Sequence, residues 1–209
     1  MKVLIIGAGN HLSTSKLVSY AKDSDYIICA DGGYDHAKSS GITPDILVGD
    51  FDSVREEPSD FLRKVKLPVE KDDTDSLYAL RFALSKGAKS IVFYGGLGDR
   101  YDHSYANICL LYYAMIQDVP MVLTDGKTEV YLTDSKITLK KRKGTTVSVY
   151  AFSDICEGVT LKGLKYPLEN ATLDKYNIIG TSNEFLSETA EFSLSSGNLL
   201  IICNQIEPY

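Results

Sequence analysis

The chain has 209 residues, 44% of them hydrophobic and 24% charged, which is enough apolar side chain to fill a folded core and argues against disorder. Its formal net charge of -6 excludes the broad basic surface needed to displace counterions from nucleic-acid phosphates, so the expected partners are small molecules. The length exceeds the common size of one domain and points to two compact units joined by a short linker.

Residues 3–8 read as a first strand that runs into Gly7-Ala8-Gly9-Asn10-His11-Leu12. This segment is similar in outline to a dinucleotide fingerprint, but Leu12 stands where the third glycine belongs, so NAD binding is set aside. The apolar start of the chain is too short for a signal peptide and no run approaches membrane-spanning length; a cytoplasmic protein with no membrane partner is expected. Residues 13–22 have helical spacing, 26–30 form a second strand ending in Ala30-Asp31-Gly32-Gly33, and 34–39 form a second helix. A third strand, 46–48, leads into Gly49-Asp50-Phe51-Asp52-Ser53. The run Lys71-Asp72-Asp73-Thr74-Asp75-Ser76 opens a helix over 75–86, with Leu77, Leu80 and Leu84 on its apolar face. Strand 90–94 precedes Gly95-Gly96-Leu97-Gly98-Asp99-Arg100-Tyr101-Asp102-His103, then come a helix over 104–117 and a strand over 120–124. Apolar runs alternating with amphipathic stretches are the pattern of parallel strands linked by crossover helices.

Beyond Asp125-Gly126 the pattern becomes two-residue alternation, as in residues 145–150 and 191–194, and predicts an antiparallel β unit. Gly144, Gly158, Gly163, Gly180 and Ser196-Gly197-Asn198 read as its turns, and the boundary falls between residues 126 and 127. The fold class is therefore an α/β N-terminal domain with a mainly parallel sheet, followed by an antiparallel β domain. The basic run at residues 140–143 reads as a solvated strand edge. Cys29, Cys109, Cys156 and Cys203 are widely spaced and form no C-x-x-C pair, so they read as reduced thiols.

Ligands of open α/β sheets bind at the carboxyl ends of the strands, where the acidic segments of this chain recur. Asp50 and Asp52, two apart in extended backbone, project to one face and would repel one another unless a cation sits beside them. Hard carboxylate oxygens suit Mg, which takes its remaining ligands from water and substrate phosphates. Asp72 and Asp75 share a helix face and Asp31 follows its own strand, although acids at such places also serve as caps and as partners of the helix dipole. In the 95–103 segment the glycines expose backbone N–H groups and Arg100 offers a fork matched to phosphate. His103 and Asn107, four apart, face the nucleotide or substrate, His103 equally suiting a structural hydrogen bond. Neither a Walker loop nor a G-x-S-x-G elbow is present.

Ala30-Asp31-Gly32-Gly33, Pro44-Asp45, Gly49-Asp50-Phe51-Asp52-Ser53, Asp72-x-Thr74-Asp75 and Gly98-x-Arg100-x-Asp102-His103 occur in an order that resembles the thiamine pyrophosphokinases, bacterial members in particular. The resemblance continues through Gly163-Leu164-Lys165-Tyr166-Pro167-Leu168 and Gly180-Thr181-Ser182-Asn183-Glu184-Phe185. It implies a C-terminal β-sandwich, a homodimer with thiamine sites near the subunit interface, and ATP, Mg and AMP release. It implies Asp50, Asp52 and Asp75 as metal ligands, with Asp31, Asp72, Arg100, Asp102, His103 and Asn107 at ATP and its phosphates. Tyr166, Ser182 and Asn183 would meet thiamine. On this reading the thiamine hydroxyl attacks the β-phosphorus, AMP leaves, and a nearby aspartate, Asp50 being the candidate, takes the proton. Transfer to another hydroxymethyl heterocycle such as a pterin, or a non-catalytic sensor, are the rival readings. Asp99 stands where the family often has glycine and is expected to weaken phosphate affinity beside Arg100.

Overall fold

The computed structural model describes residues 1–10, 13–51, 54, 63–68 and 73–205, and the chain divides into two compact units, Met1–Gly126 and Lys127–Tyr209. In the first unit Lys2–Ile6 (β1), Thr14–Lys22 (α1), Tyr26–Ala30 (β2), Gly33–Ser39 (α2), Ile46–Gly49 (β3) and Lys64–Lys66 (β4) are followed by Asp75–Ser85 (α3), Ser90–Tyr94 (β5), Tyr101–Met115 (α4) and Met121–Thr124 (β6). The strands lie in the order β6-β5-β1-β2-β3-β4, and every pairing is parallel. Leu4, Ile5 and Ile6 are wholly buried, as the continuous apolar run of a strand covered on both faces requires.

Starting from β1 the chain winds outward through β2, β3 and β4, then returns to the other side of β1 with β5 and β6. The reversal leaves a crevice beyond the carboxyl ends of β1 and β5, the place where such sheets receive ligands. Two features depart from the sequence pattern. β4 is three residues with two lysines, too short and too polar to show alternation. Helix α4 begins three residues before the expected 104, because Arg100 already holds the extended backbone of an N-cap at φ -86°, ψ 100°. Asp102 and His103 thereby become first-turn residues.

The second unit contains Thr128–Thr133 (β7), Ile137–Lys140 (β8), Thr145–Ala151 (β9), Ile155–Lys162 (β10), Leu168–Asp174 (β11), Asn183–Glu184 (β12), Thr189–Ser193 (β13) and Leu199–Gln205 (β14). Two antiparallel arrays, β12-β9-β14-β7 and β11-β10-β13-β8, form a sandwich around Val147, Val149, Val159, Leu161, Phe192 and Ile201. Gly158 is not a turn residue: it lies inside β10 at φ 65°, where the register with β11 shifts, and a Cβ there would come within 2.3 Å of Ser195 Oγ. The basic run is only partly the solvated edge expected of it. Lys140, Lys141 and Lys143 are exposed beside edge strand β8, but Arg142 turns inward. No helix among the described residues is long and apolar enough to cross a membrane.

Candidate active site

A cavity of about 440 Å³ opens at the crevice beyond β1 and β5. One wall is the loop of Gly7, Ala8, Gly9 and Asn10; the facing wall is the loop from Gly95 to Arg100, with Asp31 and Asp75 also on the lining. The two loops are in backbone contact, Gly7 N–H donating to Tyr94 O at 2.8 Å and Gly9 N–H to Gly95 O at 2.9 Å. A Cβ on Gly9 would sit 2.3 Å from Leu97 O, so the glycine spacing after β1 serves this close approach.

Asp31 is the first residue past β2 and takes left-handed backbone, φ 46°, which aspartate tolerates better than most residues. Its N–H donates to Val48 O at 2.8 Å and ties it to β3. Gly49, at φ 151°, closes against it: a Cβ at that position would lie 3.1 Å from both Cα and Cβ of Asp31. Asp50 follows directly, and Phe51 again has positive φ, 70°. Asp75 opens α3 after Thr74, whose hydroxyl accepts from Leu77 N–H at 3.1 Å. Three elements therefore converge, and one carboxylate oxygen from each of Asp31, Asp50 and Asp75 lies within 4.8 Å of the other two.

Like charges about 4 Å apart repel by about 4 kcal/mol at an effective dielectric constant of 20, so three ionised carboxylates at this spacing favour a cation between them. Asp31 Oδ1 is buried and, among the described residues, accepts no hydrogen bond. An orphaned carboxylate oxygen and an all-oxygen donor set are what a hard divalent ion such as Mg requires, so the residues fit the group. Of the residues expected to hold metal, Asp50 and Asp75 come together, and Asp31, expected at the phosphates, joins them. Asp52 and Asp72 lie outside the described residues. Asp73 pairs with Arg81 at the surface.

Arg100 and Asp102 form a two-point ion pair, 2.8 Å from Nη2 to Oδ2 and 3.4 Å from Nε to Oδ1. The guanidinium holds the Asp102 carboxyl below the usual carboxylate range, chiefly by this hydrogen bonding, so the pair persists at neutral pH. His103 lines the cavity with Nε2 4.0 Å from Asp102 Oδ2. Asn107 is buried and its Nδ2 donates to Gly96 O at 2.7 Å, which shapes the glycine loop. Ser104 Oγ does the same for Gly98, accepting from its N–H at 3.1 Å and donating to its carbonyl at 3.2 Å. Asp99, also on the lining, is engaged elsewhere than at Arg100: Asn10 Nδ2 donates to its Oδ2 at 2.7 Å, bridging the two walls of the cavity.

In the second unit Asn183 is buried and clamps Tyr166 by its backbone, accepting from Tyr166 N–H at 2.9 Å and donating to Tyr166 O at 2.7 Å. The Tyr166 ring is left exposed, with Lys165 Nζ 5.6 Å from its centre and bound to Glu184 at 2.8 Å. Ser182 has positive φ, 59°, and its N–H donates to Ser148 Oγ at 3.1 Å. Asn183 thus ties the Tyr166 segment to the Ser182-Asn183 segment, which Ser148 holds from the other side.

Two contributions escape a sequence reading. The loop of Gly7 to Asn10 lines the cavity although its glycine pattern fails as a fingerprint; the signal was its position after the first strand, not its spacing. Ser104 shows nothing in sequence beyond a polar residue at a helix start.

Two family models cover most of the chain: "Thiamin pyrophosphokinase, catalytic domain" matches residues 17–123 and "Thiamin pyrophosphokinase, vitamin B1 binding domain" matches residues 134–199. A thiamine pyrophosphokinase of Bacillus subtilis is 30% identical over 210 residues, spanning 97% of this chain and 98% of its own length. Thiamin pyrophosphokinase 1 of Caenorhabditis elegans is 27% identical, over 87% of this chain and 79% of its own. The crystal structure of a thiamine pyrophosphokinase from Bacillus subtilis superposes with a TM-score of 0.89 at 28% identity, covering 99% of this chain and 100% of that one.

Proposed function

The chain belongs to the thiamine pyrophosphokinase family, and from that membership we propose how its residues divide the transfer of a pyrophosphoryl group from a nucleotide to thiamine. The observation that carries the proposal is the convergence of Asp31, Asp50 and Asp75 beside a cavity bordered by glycine loops and Arg100. The donor is ATP, presented as its Mg complex. Asp31, Asp50 and Asp75 hold the cation, with Asp52 as a further ligand. When bound, Mg neutralises phosphate charge and orients the phosphates for in-line attack.

The thiamine hydroxyl oxygen bonds to the β-phosphorus as the bond from that phosphorus to the α,β-bridging oxygen breaks. AMP leaves with the bridging oxygen, and the hydroxyl proton passes to a cluster carboxylate, assigned here to Asp50. Arg100 meets the negative charge that gathers on the leaving group, its fork kept in plane by Asp102. Backbone N–H groups of the 95–98 loop, shaped by Asn107 and Ser104, and the His103 side chain face the phosphates.

The second unit, residues 127–209, takes the role of thiamine recognition and dimerisation. Ser182 and the turn clamped by Asn183 approach the aminopyrimidine, and the exposed ring of Tyr166 packs against it. A homodimer is supported by the exposed apolar side chains Tyr176, Ile178, Ile179 and Leu186 on this unit. Four cysteines, none in a disulfide, fit a reducing compartment, the cytoplasm.

Incubation with ATP, Mg and thiamine tests the reading: thiamine diphosphate and AMP should form in equal amounts. ADP with thiamine monophosphate, or no product, would overturn it. Light scattering should return the mass of two chains.

A further inference from the structure

The inward turn of Arg142 is the part of the basic run that the proposed chemistry leaves unused. Its Nη1 donates to Glu129 Oε1 at 2.6 Å, and Glu129 Oε2 accepts from the Tyr131 hydroxyl at 2.5 Å. Both charged side chains are largely withdrawn from water, 28% exposed for Arg142 and 14% for Glu129. The other terminal nitrogen, Arg142 Nη2, is buried and meets no hydrogen-bond partner among the described residues; the same holds for Thr145 Oγ1. Thr145 itself is only 8% exposed.

Both residues lie on one short turn, which the Thr145 N–H closes by donating to Arg142 O at 3.2 Å and in which Gly144 takes φ 71°. They line a single cavity of about 150 Å³ within the second unit. Its other walls are Tyr131, Leu139, Phe185 and Cys203, with Glu129 and Lys140 completing it. A buried donor without an acceptor costs about 1–3 kcal/mol, and more when it is charged, so two in one cavity call for an acceptor between them. The formal charges of Arg142, Lys140 and Glu129 sum to one positive, so the lining favours an anion. A cavity of this size admits a molecule of about six heavy atoms.

We propose that this cavity is a binding site for a small oxyanion, of the size of acetate or phosphate, held by Arg142 Nη2 and Thr145 Oγ1. Glu129 is the one carboxylate on the lining, and its charge is met by Arg142 Nη1. Burial first, and then the Glu129 carboxylate, push Cys203 up to about 12 and raise Tyr131 as well, so both remain neutral at physiological pH. The site is independent of the transfer reaction: all its residues belong to the second unit and none is assigned to catalysis.

Crystals of the full chain soaked in selenate, an oxyanion visible by its anomalous signal, test it directly. A peak within hydrogen-bond distance of both Arg142 Nη2 and Thr145 Oγ1 is expected, as is a rise in melting temperature with selenate, phosphate or acetate. Thr145→Val, which keeps the branched shape and removes the hydroxyl, should weaken this binding about tenfold, the loss of one hydrogen bond to a charged group. Ordered water alone in the cavity, selenate confined to the first unit, or undiminished binding by Thr145→Val would each overturn the proposal. Should the variant not fold, the wild-type anomalous map decides.

Discussion

The cavity of the first unit and the Asn183 turn of the second treat polar groups in opposite ways. At Asp31, Asp50 and Asp75 three carboxylates crowd together and the buried Asp31 Oδ1 meets no partner among the described residues, whereas the Asn183 carboxamide engages both backbone groups of Tyr166 and the N–H of Glu184. The first arrangement crowds like charges that a cation would relieve; the second meets three of the four hydrogen bonds that a carboxamide can make and sets a shape. Polar groups that the fold leaves wanting therefore mark chemistry, and polar groups that it satisfies mark positioning.

The sharpest way to break this contrast is Asp50→Asn. Removing one charge at nearly constant volume should cut turnover by a factor on the order of 10² or more, because a ligand needed in the transition state is gone. The fold should not suffer, since repulsion within the cluster falls, so the melting temperature without Mg should hold or rise. Added Mg should raise the melting temperature of the wild type and leave that of the variant almost unmoved. Thermal scans with and without Mg, run beside the kinetics, check both halves; a variant with wild-type turnover removes Asp50 from the reaction.

Asn183→Ala should do the reverse. It strips partners from the Tyr166 N–H and carbonyl, at a cost of about 1–3 kcal/mol in stability measured by urea unfolding. Its kinetic effect should appear in the KM for thiamine, with kcat largely kept, because the turn shapes a surface and touches no reacting atom. A fall in kcat with KM unchanged would show that Asn183 acts on the chemistry instead.

The same contrast explains what the sequence could and could not disclose. Strand runs such as residues 26–30 and 90–94 coincide with β2 and β5 because parallel strands buried on both faces must be apolar throughout. The acidic segments were legible as a set since each follows a strand, and the sheet order brings such ends together. Which acids meet was not legible: Asp31 joins Asp50 through the positive φ of Asp31 and the missing side chain of Gly49, features of backbone geometry that residue spacing does not carry. Arg142 was hidden for a similar reason, as one inward residue in a run of exposed lysines.

Arg100 stands between the two extremes, satisfied by Asp102 yet 70% exposed and able to turn to a phosphate. Arg100→Ala should lower kcat/KM for ATP by about tenfold, equivalent to about 1.4 kcal/mol of transition-state contact. Asp102→Asn should reproduce a fraction of that loss, because it keeps the residue's size while loosening the guanidinium. Equal kinetics for Arg100→Ala and the wild type would leave the leaving group to the backbone N–H groups alone.

The smallest effect is expected at Asp99, where the contrast can be tested within one side chain. Charge beside Arg100 predicts that any loss of the carboxylate improves phosphate binding, so Asp99→Asn and Asp99→Ala should both lower the KM for ATP. The geometry predicts otherwise, since the carboxylate accepts from Asn10 across the cavity walls while Arg100 pairs with Asp102. Asp99→Asn keeps an acceptor for Asn10 and should leave KM unchanged, whereas Asp99→Ala and Asn10→Ala should each raise it about twofold, the modest worth of one exposed hydrogen bond. The double variant should be no worse than either single one, because both remove the same contact. Additive losses, or a lower KM in both Asp99 variants, would return Asp99 to the role of an opposing charge.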